Sequence, residues 1–151
     1  MNARVGLHTR YADNPRWLTE GIATYFETPD LRSKTGWQTV GRPNPLRIGQ
    51  FVDYARSRRK ADSLLSLIST DQRFQDQKTI LDAYAESWAF SYFLIKTRRR
   101  GYEKYLKLIA DRKPLVWATP EERLKTFQSV FGDDLTLLDQ QFLKYMREIS
   151  H

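Results

Sequence analysis

TILDAYAESWAFSYFLIKTR, residues 79 to 98, is apolar on nearly every side when wound into a helix. Ile80, Leu81, Ala83, Tyr84, Trp88, Phe90, Tyr92, Phe93, Leu94 and Ile95 leave no continuous polar face, the pattern of a helix surrounded by its neighbours. Asp82 and Glu86 argue against a membrane span, and no run of eighteen or more apolar residues occurs anywhere in the chain. A buried central helix needs other helices to cover it, so a mainly α fold is expected. Gly101 is placed to end this helix. Tyr102, Tyr105, Leu106 and Ile109 then form a second, amphipathic helix that closes before Pro114.

Helical spacing continues outward in both directions. Downstream, Thr119-Pro120-Glu121-Glu122 is a capping box with proline at the first helical position, followed by Leu124, Phe127, Val130 and Phe131 and a stop at Gly132. Asp133 or Asp134 can cap a last helix carrying Leu135, Leu138, Phe142, Tyr145 and Ile149. Upstream, Leu64, Leu65, Leu67 and Ile68 mark a short helix. Ile48, Phe51, Val52 and Ala55 mark another, ending in Arg56-Ser57-Arg58-Arg59-Lys60. Asn14-Pro15 reads as an N-cap and first position, with Leu18, Ile22, Tyr25 and Phe26 recurring until Pro29, a helix of about 15 to 28. Between these two lies a long loop, 29–46, broken by Gly36, Gly41, Pro43 and Pro45, with room for a short strand or hairpin at Trp37 to Val40. Such loops are often the rims of sites, or simply packed surface. With 40% apolar and 13% aromatic residues and no internal repeat, residues 1–151 are expected to form one helical domain.

The absence of cysteine excludes disulfides, thiolate zinc sites and cysteine nucleophiles, and says nothing about the compartment. Met1-Asn2-Ala3-Arg4 lacks the basic-then-apolar pattern of a signal peptide. Lys and Arg exceed Asp and Glu by 25 to 18, a net charge of +7 concentrated in the runs 56–60 and 96–100. Both runs are expected at helix C-termini, where cations complement the helix dipole. Neither has the interleaved surface aromatics of a single-strand binder, so specific nucleic-acid binding is not expected.

WLTEGIATYFE, residues 17 to 27, carries Glu20 and Glu27 seven positions apart and hence on one face of the first helix. Spacing of this kind is usually a solvated face. The wording says more, because Trp-Leu-x-Glu-Gly-x-Ala-x-Tyr-x-Glu resembles the glutamate helix of the gluzincin (peptidase MA-like) metallopeptidases, above all the group called domain of unknown function 1570. The resemblance implies that Glu20 is the third zinc ligand and Glu27 a carboxylate that orients a ligand histidine. His₂Glu with an open water position is a catalytic zinc arrangement. AYAESWAFSYFL, residues 83 to 94, resembles the later helix whose leading tyrosine stabilises the oxyanion, which would make Tyr84 that residue. The family's Glu-Lys-Gly after this tyrosine is replaced by Ala85-Glu86-Ser87, and a helix so rich in aromatics also offers Tyr84 a plain core role.

One departure outweighs the rest: no His-Glu-x-x-His occurs, and the histidines are His8 and His151 alone. In the family that motif precedes the glutamate by roughly twenty residues or more, at or before Met1 here, so the chain is expected to begin just after it. His8 sits in an expected loop without a partner histidine at helical spacing, as a surface or hydrogen-bonded residue would. The expectation is therefore the C-terminal helical part of a zinc metallopeptidase-like domain acting on a peptide or protein, with zinc in the intact parent and none bound by this chain. The alternatives are a non-catalytic helical domain that binds a peptide or protein beside Glu20 and, last, a basic nucleic-acid-binding domain.

Overall fold

A computed structural model describes residues 14–26, 44–111 and 119–150. Among these residues the regular structure is α-helical apart from one short 3₁₀ turn, with no strand. The helices are α1 (Arg16–Phe26), α2 (Pro45–Ser57), α3 (Ser63–Ser69), α4 (Ile80–Thr97), α5 (Arg99–Ala110), α6 (Pro120–Phe131) and α7 (Leu135–Ile149), with the 3₁₀ turn at Gln72–Phe74 between α3 and α4. The mainly α expectation is met. None of the described helices is long and apolar enough to cross a membrane.

Helix α4 is the hub: every residue from Ala85 to Leu94 is buried, and α1, α2, α5 and α7 all pack on it. Aromatic rings fill the space between them. Trp17 of α1 is fully buried against Phe90 (ring centroids 5.1 Å apart), Tyr105 (5.9 Å) and Phe127 (6.0 Å), tying α1 to α4, α5 and α6 in one place. Truncating such a side chain costs about 3–5 kcal/mol. Phe142 of α7 does the same from the other side, meeting Phe51, Phe90 and Phe93 at 5.1 to 5.5 Å.

The caps follow the local chemistry. Thr119 and Glu122 form the full reciprocal box at the start of α6, Asp134 accepts from the Leu137 amide at 2.9 Å at the start of α7, and Gly132 ends α6 at φ +95°, where a side chain would be strained.

Four boundaries differ from the sequence expectation. Helix α1 begins at Arg16, after Pro15, whose carbonyl takes the Leu18 and Thr19 amides. Its first amide is capped by Asp71, a residue 55 positions away, at 3.1 Å. The end of that expected helix, 27–28, lies outside the described residues, as do 29–43 of the expected loop with its strand or hairpin. Pro45 and Leu46 belong to α2, because Asn44 caps it through the Leu46 and Arg47 amides and Pro45 takes the first position. Gly101 ends nothing, for it lies in the first turn of α5, where a Cβ would come 3.1 Å from the Phe131 ring at the end of α6. Close packing, rather than a cap, accounts for that glycine. The second basic run consequently straddles two helices: Lys96 is in the last turn of α4, but Arg99 and Arg100 open α5.

Candidate functional site

The two sequence stretches singled out above meet at the crossing of α1 and α4. A Cβ on Gly21 would lie 2.0 Å from Ser91 Oγ, 2.7 Å from Ser91 Cβ and 2.9 Å from the Ser87 carbonyl oxygen, so the helices touch where the glycine has no side chain. Trp17 and Leu18 are buried in the core, and the Tyr25 ring lies tilted against Tyr92 with centroids 6.0 Å apart. Thr24 turns its hydroxyl back onto the carbonyls of Glu20 (2.8 Å) and Gly21 (3.2 Å). Most of the motif is thus explained by packing.

Glu20 is not. Its side chain is 28% exposed, and among the described residues its carboxylate pairs with Arg16 Nη2 at 3.3 Å, one turn earlier on the same helix. An ion pair of this exposure contributes little to stability. Arg16 also lies over the Phe74 ring at 5.2 Å, and Phe74 packs on Tyr84 with centroids 5.6 Å apart. Glu20 and Tyr84 are therefore joined through two intervening side chains. Tyr84 is half-buried at the edge of the core. Ser87, one turn along α4 from Tyr84, has a buried hydroxyl without a hydrogen-bond partner. Glu27 and His8 lie outside the described residues. Among the described residues, no three His, Cys, Asp or Glu side chains are grouped so as to hold a metal ion.

A second cluster escaped the sequence reading. Glu86 is fully buried in α4, yet its carboxylate accepts from Arg59 Nε at 2.8 Å, Arg73 Nη1 at 2.6 Å and Ser63 Oγ at 2.6 Å. Arg73 reaches on to the Tyr54 hydroxyl at 2.9 Å, and Arg59, only 5% exposed, also pairs with Asp139 of α7. Burial lowers the affinity of the Arg59 guanidinium for its proton, but the hydrogen bond it donates to Asp139 and the charge of Glu86 more than reverse this and hold it firmly charged. Burial, reinforced by Glu86, raises the Tyr54 phenol above its ordinary value. A glutamate amid apolar positions of a buried helix must find cations, and the run at 58–59 was the available signal. Arg58 makes a bidentate pair with Asp82, both bonds 2.9 Å, and also meets Asp53 at 3.0 Å. Much of the first basic run therefore serves internal ion pairs, not the helix dipole alone.

The sequence profile of DUF1570, described as a protein of unknown function, matches residues 1–116. The chain belongs to the DUF1570 family. No curated protein and no solved structure matches it. The DUF1570 segment contains α1 to α5 and with them Glu20, Tyr84, Glu86 and its two arginines, whereas α6 and α7, including Asp139, follow the matched residues.

Proposed function

We propose that this chain is the helical part of a gluzincin-type zinc metallopeptidase-like domain. In this reading Glu20 is a metal ligand, Glu27 a carboxylate that orients a ligand histidine, and Tyr84 the hydroxyl that meets the oxyanion of a peptide substrate. One observation carries it: the fold uses Trp17, Leu18, Gly21 and Tyr25 for packing and leaves Glu20, the acidic centre of the motif, with one weak partner among the described residues. A carboxylate kept on a rigid helix, at the edge of a core and without a structural task, is what a metal site requires of its scaffold.

Residues 1–151 supply only part of such a site. A catalytic zinc takes three protein ligands, and the paired histidines with their glutamate base are not in this sequence. Zinc, where so held, polarises the substrate carbonyl and activates water. What this chain contributes is one ligand, its orientation, and a phenol nearby.

Calorimetry with zinc on this chain should show weak binding only. A one-to-one site of submicromolar affinity that disappears in Glu20→Ala would mean that other residues of the chain complete the sphere. In a longer chain that carries a His-Glu-x-x-His helix ahead of residue 1, Glu20→Gln should abolish stoichiometric zinc. There Glu27→Ala should weaken it about ten- to a hundredfold, while Tyr84→Phe should spare it. Full zinc occupancy in Glu20→Gln would overturn the assignment.

A further inference from the structure

Between residues 96 and 107 six cations, Lys96, Arg98, Arg99, Arg100, Lys104 and Lys107, stand against one carboxylate, Glu103. They hold most of the chain's net charge of +7. Elsewhere Arg58, Arg59, Arg73 and Arg123 each meet a carboxylate. At this corner, among the described residues, Arg99 alone does, pairing with Glu103 at 3.2 Å with both side chains well exposed, while Arg98 is held by Gln141 and the Phe93 ring. Among the described residues no carboxylate pairs with Arg100, Lys104 or Lys107.

At helical spacing those three fall on one line of α5, opposite the buried Tyr102, Tyr105 and Ile109. The cations of the first turn oppose the helix dipole, whereas Lys107 lies in the last turn and complements it. Arg99 and Arg100 sit in the first turn, where the dipole is already positive, and Arg98 at the cap position offers no side-chain acceptor. Among the described residues the exposed pair of Arg99 and Glu103 is the one ion pair at this corner, so an external anion is the natural complement of the remaining cations. Leu108, 39% exposed, lies beside the cationic line. The tyrosines of α5 are buried and unavailable for stacking on bases.

We propose that this corner of α4 and α5 docks on an anionic lipid bilayer, the cations meeting headgroup phosphates and Leu108 entering the boundary beneath them. A nucleic-acid backbone would use the same cations but leave Leu108 in water.

The test is co-sedimentation of the full chain with phosphatidylcholine vesicles, with and without phosphatidylserine, at low salt. The chain should bind only the anionic vesicles. A triple variant, Arg99→Gln, Arg100→Gln and Lys104→Gln, should lose affinity on the order of a hundredfold. The same variant should melt close to the parent, because the one ion pair it removes, Arg99 with Glu103, is exposed and contributes little. Leu108→Gln should weaken vesicle binding severalfold while leaving any duplex DNA binding unchanged. Failure to bind anionic vesicles, equal binding by the triple variant, or tighter binding to duplex DNA than to vesicles would each overturn the proposal.

Discussion

At Gly21 the motif's chemistry and its packing part company. The glycine adjoins Glu20 in sequence, yet its role is the approach of α1 to α4, where a methyl group would strike both the Ser91 side chain and the Ser87 backbone. A hydroxyl can rotate away, but a carbonyl oxygen 2.9 Å distant on a buried helix cannot move without carrying the helix with it. Gly21→Ala should therefore destabilise the protein by about 1–3 kcal/mol in urea unfolding despite the better helix propensity of alanine. A neutral or stabilising result would mean that the two helices separate easily. Glu20 stands in contrast, since its weak pair with Arg16 gives the fold little reason to keep it.

Helix α4 combines an apolar circumference with one buried charge, and the elements around it are arranged to neutralise that charge. Glu86 draws Arg59 from the loop after α2, Ser63 from α3 and Arg73 from the 3₁₀ turn, and Asp139 brings in α7 through Arg59. The cluster thus sets how four segments seat on α4. Glu86→Ala would leave two largely buried guanidinium groups without their shared carboxylate, a loss of about 3–5 kcal/mol. For a domain whose whole stability is on the order of 5–15 kcal/mol, that is enough to leave it barely folded. The exposed Arg58 and Asp82 bridge, though bidentate, should matter far less, so Asp82→Asn should unfold near the parent's urea midpoint. Similar losses for the two variants would show that burial does not govern the energetics of this network.

Across the whole molecule, folding places several phenols where their ionised forms are poorly solvated. Burial pushes Tyr92 up to about 12 and raises Tyr102 further, while Tyr54 is raised by burial and by the Glu86 charge. In the unfolded chain these groups ionise near 10. Between that value and their folded ones, the unfolded chain loses protons that the folded chain retains, so stability falls as pH rises. Stability should be unaffected by these groups below pH 10 and decline above it. Urea midpoints measured on either side of pH 10, alongside the ultraviolet absorbance of tyrosinate, would check this. Tyrosine ionisation completed near its ordinary value with the helical signal intact would contradict it.

Periodicity was enough for the helices themselves, because a three-to-four repeat of apolar residues and a capping box are local properties of the chain. It sufficed for α4 as the centre, since a helix apolar all round can only be covered, whereas Glu20 was singled out by the wording of its motif and not by its spacing. Roles that depend on what comes near from elsewhere were not legible. The reason for Gly101 lies in α6, the cap of α1 lies in Asp71, and the partners of Glu86 are 13, 23 and 27 residues distant. The first basic run, read as a dipole complement, gives Arg58 and Arg59 to ion pairs, and the second is spread across the end of α4 and the start of α5, where Arg99 pairs with Glu103. A charge declares its presence in a sequence, but its energy depends on burial and on the distance to the opposite charge, and the packing of helices alone determines both.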